Sequence, residues 1–530
     1  METKAIIVAI LLCFLVQAPL VRGEQPEPDD EGDYLWWDGG YNMLVRPVGK
    51  LFDLGRPIKT VGRWLRLRGR DEALNVNALD EVEDSSWFTN RHEKYRMSLK
   101  ELQRGANSDS TIDTQNVLEI VAGKSLGITP GLIVKDSKGD RYLLKFDPPD
   151  YPGMATSAEM VSSRFMHAAG YPIPEYAIAT IDPTRLTIKE GAKIKGRYNV
   201  PRPMVQSDVE DILKRVYVRK DGKIRASASK FLDGIPMGSP TLVGVRKDDP
   251  DDTIPHQHLR ELRGLRIVSS FLNNTDCRRG NYLDMYVNEG EQWHIKHYIL
   301  DLSSTVGSGN TEPKSAKYGN EYVVDPPKIS LSYITLGFWI KPWENGIEVR
   351  YPETGTFESE IFHPKRWVTS YPNAGFVEMT PRDAFWGAKI VTAFTDNDIR
   401  AIVETGQFSN PEAEEYVVKT FIERRDKIGR YWFDTQRMNP LSEFRVIQQK
   451  GSSMLQFNDI AIDRDIATSM ETRYRYQIDK ESKVVTVGRS IPIGSGDPEI
   501  RIWTSRDSGE HWGKKMTIRI ENGSVVSIER

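Results

Sequence analysis

The strongest constraint on this chain is a set of polar residues standing, in a fixed order, at the ends of regular elements. Leu259, Leu262, Leu265, Ser269 and Leu272 share one face of a helix. That helix runs straight into a polar loop, Asn273-Asn-Thr-Asp276-Cys-Arg-Arg-Gly-Asn281. A strand pair follows: Tyr282-Leu-Asp-Met-Tyr-Val, the turn Asn288-Glu-Gly, then Trp293 to Leu300. It delivers Asp301 in the apolar setting Tyr298-Ile-Leu-Asp-Leu, where a carboxylate is costly unless paired or metal-bound. Upstream, Val117-Leu-Glu-Ile-Val-Ala is a strand, and Gly131 to Phe146 reads as a hairpin turning at Ser137-Lys-Gly-Asp. Lys145 ends that hairpin, and Glu159 lies on the next helix, Ala155 to Ala169, which Gly170 and Pro172 stop. Between the first two strands lies Gly123-Lys-Ser-Leu-Gly127-Ile-Thr-Pro-Gly131.

Composition removes alternatives without naming a chemistry. The 530 residues suggest about three domains. With 75 acidic and 72 basic side chains, the net charge of −3 offers no broad footprint for nucleic acid. Two cysteines exclude a disulfide scaffold and a Cys-rich zinc site. Met1-Glu-Thr-Lys followed by the uncharged run Ala5 to Val16 reads as a signal peptide cleaved after Gly23. The alternative is an uncleaved anchor, but the run is shorter than the ~20 residues of a span. Cleavage removes Cys13, leaves Cys277 as the single thiol and implies export, periplasmic or extracellular.

The expected architecture is α+β. Residues 24–112 form an N-terminal helical extension with an acidic Pro/Gly-rich lead at 24–40 and with Trp64, Trp87 and Phe88 as anchors. Residues 113–235 hold short strands, including pairs within 174–200 and 212–230, the second turning at Asp221-Gly222. Residues 236–440 hold the loop above and later helices, chiefly Pro411 to Trp432. Residues 441–530 alternate as short strands and suggest a small β-sandwich.

Phosphoryl transfer needs a lysine on nucleotide phosphates, a carboxylate that places it, an Asp at the nucleophile, and an Asn and a second Asp on metal. The order of the residues matches those parts, and Asp276 to Asn281 has the Asp-x-x-x-x-Asn spacing. Residues 113–435 resemble a protein-kinase-like fold of an atypical branch, closer to HipA-type and CotH-type kinases than to eukaryotic protein kinases. The resemblance implies a two-lobed domain, 113–235 and 236–440, that binds ATP and magnesium. Lys145 would hold phosphates, Glu159 would pair with it, and Asp276 would be the catalytic carboxylate. Asn281 and Asp301 would hold magnesium, Gly123, Gly127 and Gly131 would cover the nucleotide, and Phe231 to Gly234 would be the hinge beside adenine. The acceptor would be a hydroxyl of a protein or small molecule. Asn274-Thr275 precedes Asp276 where the eukaryotic pattern has His-Arg, Leu302-Ser303 follows Asp301 where it has Phe-Gly, and no Ala-Pro-Glu follows. Asn75 to Val82, Ser85 to Arg91 and Leu262 to Arg266 also resemble a group of exported bacterial proteins that implies no activity.

Each residue has a plainer alternative: Lys145 as a solvated strand-end lysine, Asp276 and Asn281 as loop turn-formers. Gly123-Lys-Ser is no Walker motif, because the required first glycine falls on Leu118. The glycines stand open between nucleotide contact and hairpin turning. Glu159 stands open between pairing with Lys145 and a capping box with Thr156. Arg278 and Arg279 stand open between phosphate contact and a solvated role. His256, His258, His294 and His297 make a poor zinc set, Cys277 lacks a base partner, and no Gly-x-Ser-x-Gly elbow is present. Asn273-Asn-Thr and Asn522-Gly-Ser match glycosylation acceptors. A related enzyme reading is nucleotidyl transfer with the nucleotide bound flipped, and two rivals of a different class remain. One is a pseudokinase scaffold. The other is a polymer-binding β-domain contacting its ligand through Trp503 and Trp512, although Trp503 is expected in the sandwich core.

Overall fold

The computed structural model describes residues 71–530 apart from 109–110, 125–128, 196–199, 291, 337, 342, 345–347, 450–451 and 495. The leader, the acidic lead, Trp64 and Gly127 fall outside the described residues.

Seven strands form the first sheet: β1 (Leu118–Gly123), β2 (Gly131–Lys135), β3 (Arg141–Phe146), β4 (Tyr176–Ile181), β5 (Leu186–Lys195), β6 (Pro201–Pro203) and β7 (Ile224–Lys230). Their order is β4-β7-β3-β2-β1-β5-β6. The β2–β3 hairpin forms in the expected register, Gly131 opposite Lys145 and Lys135 opposite Arg141. Its turn holds because Asp136 Oδ1 accepts from the amides of Lys138 and Asp140 while Gly139 takes φ +91°. Leu118, Ile120, Leu132, Val134, Leu144 and Ile224 fill one face. Helix α1 (Leu99–Arg104) precedes the sheet, α2 (Met154–Ala168) packs on β4 and β7, and α3 (Gln206–Leu213) lies between β6 and β7.

Glu159 makes no capping box with Thr156. Helix α2 begins at Met154, so Thr156 lies inside it. Asp147 caps the helix instead: its Oδ1 accepts from the amides of Ala155 and Thr156 at 3.0 Å each.

Phe231 to Gly234 joins this sheet to β8 (Ile235–Pro236), which pairs with β9 (Tyr282–Glu289); β9 pairs in turn with β10 (Gln292–Ile299). Gly234 has φ +105°, and a Cβ there would meet the Tyr286 carbonyl oxygen at 2.5 Å. Helix α4 (Arg260–Leu272) is buried on nearly every side and ends at Asn273, φ +51°. After it come α5 (Pro326–Ile334), α6 (Ala374–Glu378), α7 (Pro381–Thr392), α8 (Asp396–Glu404) and α9 (Pro411–Trp432); α6, α7 and α9 pack on α4, and α8 packs on α9. Among the described residues, no helix is long and apolar enough to cross a membrane.

The expected helical extension is different where it is described. Residues 71–98 are irregular, and α1 has six residues. Polar side chains take over the backbone there: Asn77 Oδ1 accepts from Leu79 and Glu81, Ser85 Oγ from Trp87, and Asp84 Oδ1 from Asn90. Trp87 and Phe88 are buried, as anchors should be.

Beyond residue 440, two sheets share one apolar cluster. The first, in order β11-β12-β15, contains β11 (Leu441–Gln449), β12 (Ser452–Asp459) and β15 (Ser490–Pro492). The second, in order β14-β13-β16-β17-β18, contains β13 (Arg473–Ile478), β14 (Val484–Thr486), β16 (Glu499–Ser505), β17 (Met516–Glu521) and β18 (Ser524–Glu529). Leu455, Phe457 and Ile491 meet Tyr474, Ile500, Ile502 and Ile518 in the cluster. Trp503 is not part of it. Ile500 and Ile502 point inward, so strand alternation puts Trp503 on the other face. There the Arg475 guanidinium lies 5.1 Å from the Trp503 ring and 4.4 Å from that of Trp512.

Candidate active site

Lys145 is 3% exposed and sits between two carboxylates. Its Nζ lies 2.6 Å from Glu159 Oε1 on α2 and 2.8 Å from Asp301 Oδ1 beyond β10. Strand register explains the aim: Lys145 on β3 stands opposite Ser227 on β7, so both side chains leave the same face of the sheet. Ser227 Oγ then donates to the other oxygen of Glu159. Burial alone would lower the Lys145 ammonium, but Asp301 and Glu159 outweigh it and hold the group well above the ordinary lysine range. Burial would likewise raise Asp301. Lys145, with help from Ser303 and Lys124, holds its carboxyl well below the usual range. Asp301 takes φ +48°, a left-handed conformation.

Asp276 and Asn281 belong to one closed loop in which Asn281 Nδ2 donates to the Asp276 carbonyl at 2.8 Å. The Asp276 carboxyl is pushed up by burial, with Arg278 opposing and Asp301 adding to the rise. Arg278 Nε lies 3.2 Å from Asp276 Oδ1, and Arg279 donates to the Ser239 carbonyl at 3.0 Å. Lys145, Glu159 and Asp301 are therefore in direct contact. Asp276 is linked to them through the field of Asp301.

The two described glycines of the run 123–131 are explained by packing. A Cβ at Gly123 would meet Ile194 at 2.7 Å, and one at Gly131 would meet the Leu144 carbonyl oxygen at 2.5 Å. Phe231 is partly exposed beneath the Arg141 guanidinium, 4.3 Å from the ring centre. Phe231 and Gly234 stand on the connection between the two sheets.

Two lysines near the site have no local signature. Lys124 donates to the Thr129 carbonyl at 3.1 Å, and burial followed by Lys145 lowers it to about 8. Lys314 is buried and donates to the carbonyls of Asn273 at 3.0 Å and Ser304 at 2.6 Å. It thus ties the loop holding Asp276 to the segment after Asp301. Burial lowers it to about 7, despite the nearby Asp276.

The remaining candidates have structural partners. His256 contacts Thr241 and Asp252, His258 contacts Arg263, and His297 bonds Asp284 while stacking on Trp87 at 3.9 Å. The Cys277 thiol is buried and pushed up to about 12, far from a thiolate nucleophile. Asn273 is buried and accepts from the Trp367 indole, which leaves no room for a sugar.

No family model and no curated protein matches this chain. Among solved structures it is similar to the Helicobacter pylori proinflammatory kinase CtkA, with TM-score 0.33 and 15% identity over 61% of this chain and 99% of that one. It is similar to hydra Fam20, solved with sugar, with TM-score 0.25 and 12% identity over 61% and 96% of the two chains. It is also similar to the Golgi casein kinase with Mn/ADP bound, with TM-score 0.29 and 11% identity over 80% and 96%. Scores and identities of this size place the chain in no family.

Proposed function

We propose that the chain is an exported ATP- and magnesium-dependent phosphotransferase of atypical kinase type, acting on a hydroxyl of a protein or small molecule. The observation that carries this reading is Lys145 held at once by Glu159 and Asp301, which come from three separate parts of the chain. Such a lysine stays charged at neutral pH and has a fixed position, as phosphate binding requires.

The donor set fits a hard divalent ion. Lys145 and Ser303 both bind Oδ1 of Asp301, and its carboxylate is about one-third exposed. The Asn281 amide nitrogen is committed to the Asp276 carbonyl, so its oxygen is the donor left to offer. Asp301 and Asn281 would hold magnesium, whose ligands are oxygens. ATP would supply the γ-phosphoryl group, with magnesium offsetting the charge of its phosphates. Lys145 would hold phosphate, with Glu159 setting its position. Asp276, its carboxyl raised by burial, would orient the acceptor hydroxyl and take its proton. Gly123, Gly127 and Gly131 would lie over the phosphates, and Phe231 to Gly234 beside the adenine.

Calorimetric titration of the chain with ATP, with and without magnesium, tests the reading beside Asp301→Ala. Magnesium-dependent binding that the variant loses is the expected result. No binding at millimolar ATP would overturn the proposal.

A second reading, a binding module in residues 441–530, is favoured by the Trp503–Arg475–Trp512 stack outside the shared core. Retention of the chain on cell-wall polymer, lost in Trp512→Ala, would support it. No retention would remove it.

A further inference from the structure

The end of helix α5 and the segment after it hold a dense exposed apolar surface. From Ile329 to Ile340 the sequence has no charged residue, and lysines stand at both ends, Lys328 and Lys341. Tyr333, Ile334, Leu336 and Phe338 are each more than three-quarters exposed, and Ile340 is nearly two-thirds exposed. Scattered apolar residues on a surface need no explanation; five within eight positions do.

The base of this protrusion is tied down. Buried Glu321 accepts from the Trp343 indole at 3.0 Å and pairs with Lys341 at 3.4 Å. Lys328 is drawn to Asp325 at 3.4 Å and Glu321 at 4.0 Å. Both flanking lysines are thus neutralised at the stem. Part of the tip's backbone is satisfied locally: Thr335 donates to the Leu331 carbonyl through its amide and its hydroxyl, Leu336 donates to Tyr333, and Phe338 donates to Thr335.

We propose that Tyr333, Ile334, Leu336, Phe338 and Ile340 form a wedge that inserts into the interfacial layer of a lipid bilayer. A protein interface surrounds its apolar centre with a polar rim and about one hydrogen bond per 100–200 Å². This tip carries no charge and its exposed side chains are apolar, which suits the interfacial layer, where water and headgroups serve the remaining polar groups. Tyr333, Phe338 and Trp339 supply the aromatic share common at membrane interfaces. Because the stem lysines are neutralised, the wedge takes zwitterionic lipid and does not require an anionic headgroup. The proposal does not depend on the phosphotransferase reading. The two would meet at one place: Val323 donates to the Ser370 carbonyl, and Ser370 donates to Thr275, the neighbour of Asp276.

The test uses the mature chain from Glu24 with an environment-sensitive dye on Phe338→Cys. Buried Cys277, with its raised thiol, does not compete for the label. Leu336→Cys provides a second label position. Met470→Cys, exposed on another part of the surface, is the control. The chain is mixed with phosphatidylcholine vesicles and with 3:1 phosphatidylcholine/phosphatidylglycerol vesicles. The expected result is a blue shift at positions 336 and 338 in both lipids, quenching by brominated acyl chains, and no change at 470. Leu336→Ser with Phe338→Ser should weaken vesicle binding about tenfold or more. No shift at 336 and 338, an equal shift at 470, or binding only with phosphatidylglycerol would overturn the wedge. A shift that grows with protein concentration without lipid would also overturn it, in favour of a second copy of the chain.

Discussion

Lys145 and Lys314 are both buried, and their environments push them in opposite directions. Lys145 has two carboxylates within 3 Å, whereas Lys314 is bonded to two backbone carbonyls. Carbonyl dipoles compensate a buried ammonium less well than a carboxylate does, so Lys314 falls to about 7 against 10.5 for a free lysine. Between those two values the unfolded chain binds more protons than the folded one, so Lys314 makes stability rise with pH across that window. Lys314→Met removes this dependence. Its stability relative to the original chain should therefore be highest near pH ~7 and fall by pH ~9.5, as read from urea midpoints at both values. An equal difference at the two pH values would contradict a lysine buried in this way. Lys145, Asp276, Asn281 and Asp301 stand out in the sequence because each lies at or just beyond the end of a recognisable element, and Glu159 because it lies on the helix after Lys145. Lys314 could not, since Pro313-Lys-Ser-Ala-Lys317 has no period or turn signature and its partners lie 41 and 10 residues away. Ser227 was hidden for a related reason: only the β3–β7 register makes it a neighbour of Lys145.

Helix α2 shows how an element makes the site. It carries Glu159 to Lys145, and its start is set by Asp147, whose carboxylate collects two amides and the Thr156 hydroxyl. Asp147→Ala should cost about 2 kcal/mol, the upper end for a lost cap, and Asp147→Asn much less, because Asn caps nearly as well. Urea unfolding of the two variants checks the order. If both cost the same, the carboxylate is not acting as a cap. Elements with strong apolar periods, such as α4, α9 and the β2–β3 hairpin, were readable within a residue or two. The failures have local causes. Within 441–530 the alternation marks strands at 444–447, 473–476, 483–487, 499–503, 516–520 and 524–528 but not β12, which opens Ser452-Ser-Met, or β15, which has three residues. The stretch from Asn75 to Asn90 has apolar residues at helical spacing, but its Asn, Ser and Asp side chains offer the backbone turns instead.

At the scale of the whole molecule, one carboxylate joins distant parts of the chain. Asp80 receives Arg260 of α4 at 2.7 Å, Arg382 of α7 at 2.8 Å and Arg530, the last residue, at 2.7 Å. Next to it, the Ile528 amide of β18 donates to the Ala78 carbonyl. No sequence pattern announces such a hub, because its members lie 180, 302 and 450 residues from Asp80. Burial would raise the Asp80 carboxyl; Arg260, Arg530 and Arg382 together lower it to about 2 from 3.8. A depressed carboxylate stabilises the fold above its unfolded value, and this contribution is lost as pH falls through the folded one. Asp80→Asn keeps the shape of the side chain and leaves three guanidinium groups around a neutral amide, with Asp383 still near Arg260. Removing one partner from a buried charge cluster costs about 3–5 kcal/mol. The variant should lose that much near neutral pH. The gap to the original chain should then narrow as pH drops from about 4 toward about 2, where Asp80 itself takes up a proton. Urea midpoints of the two proteins across that range give the measurement. A gap that stays constant with pH would mean that the three arginines are held by contacts other than the Asp80 charge.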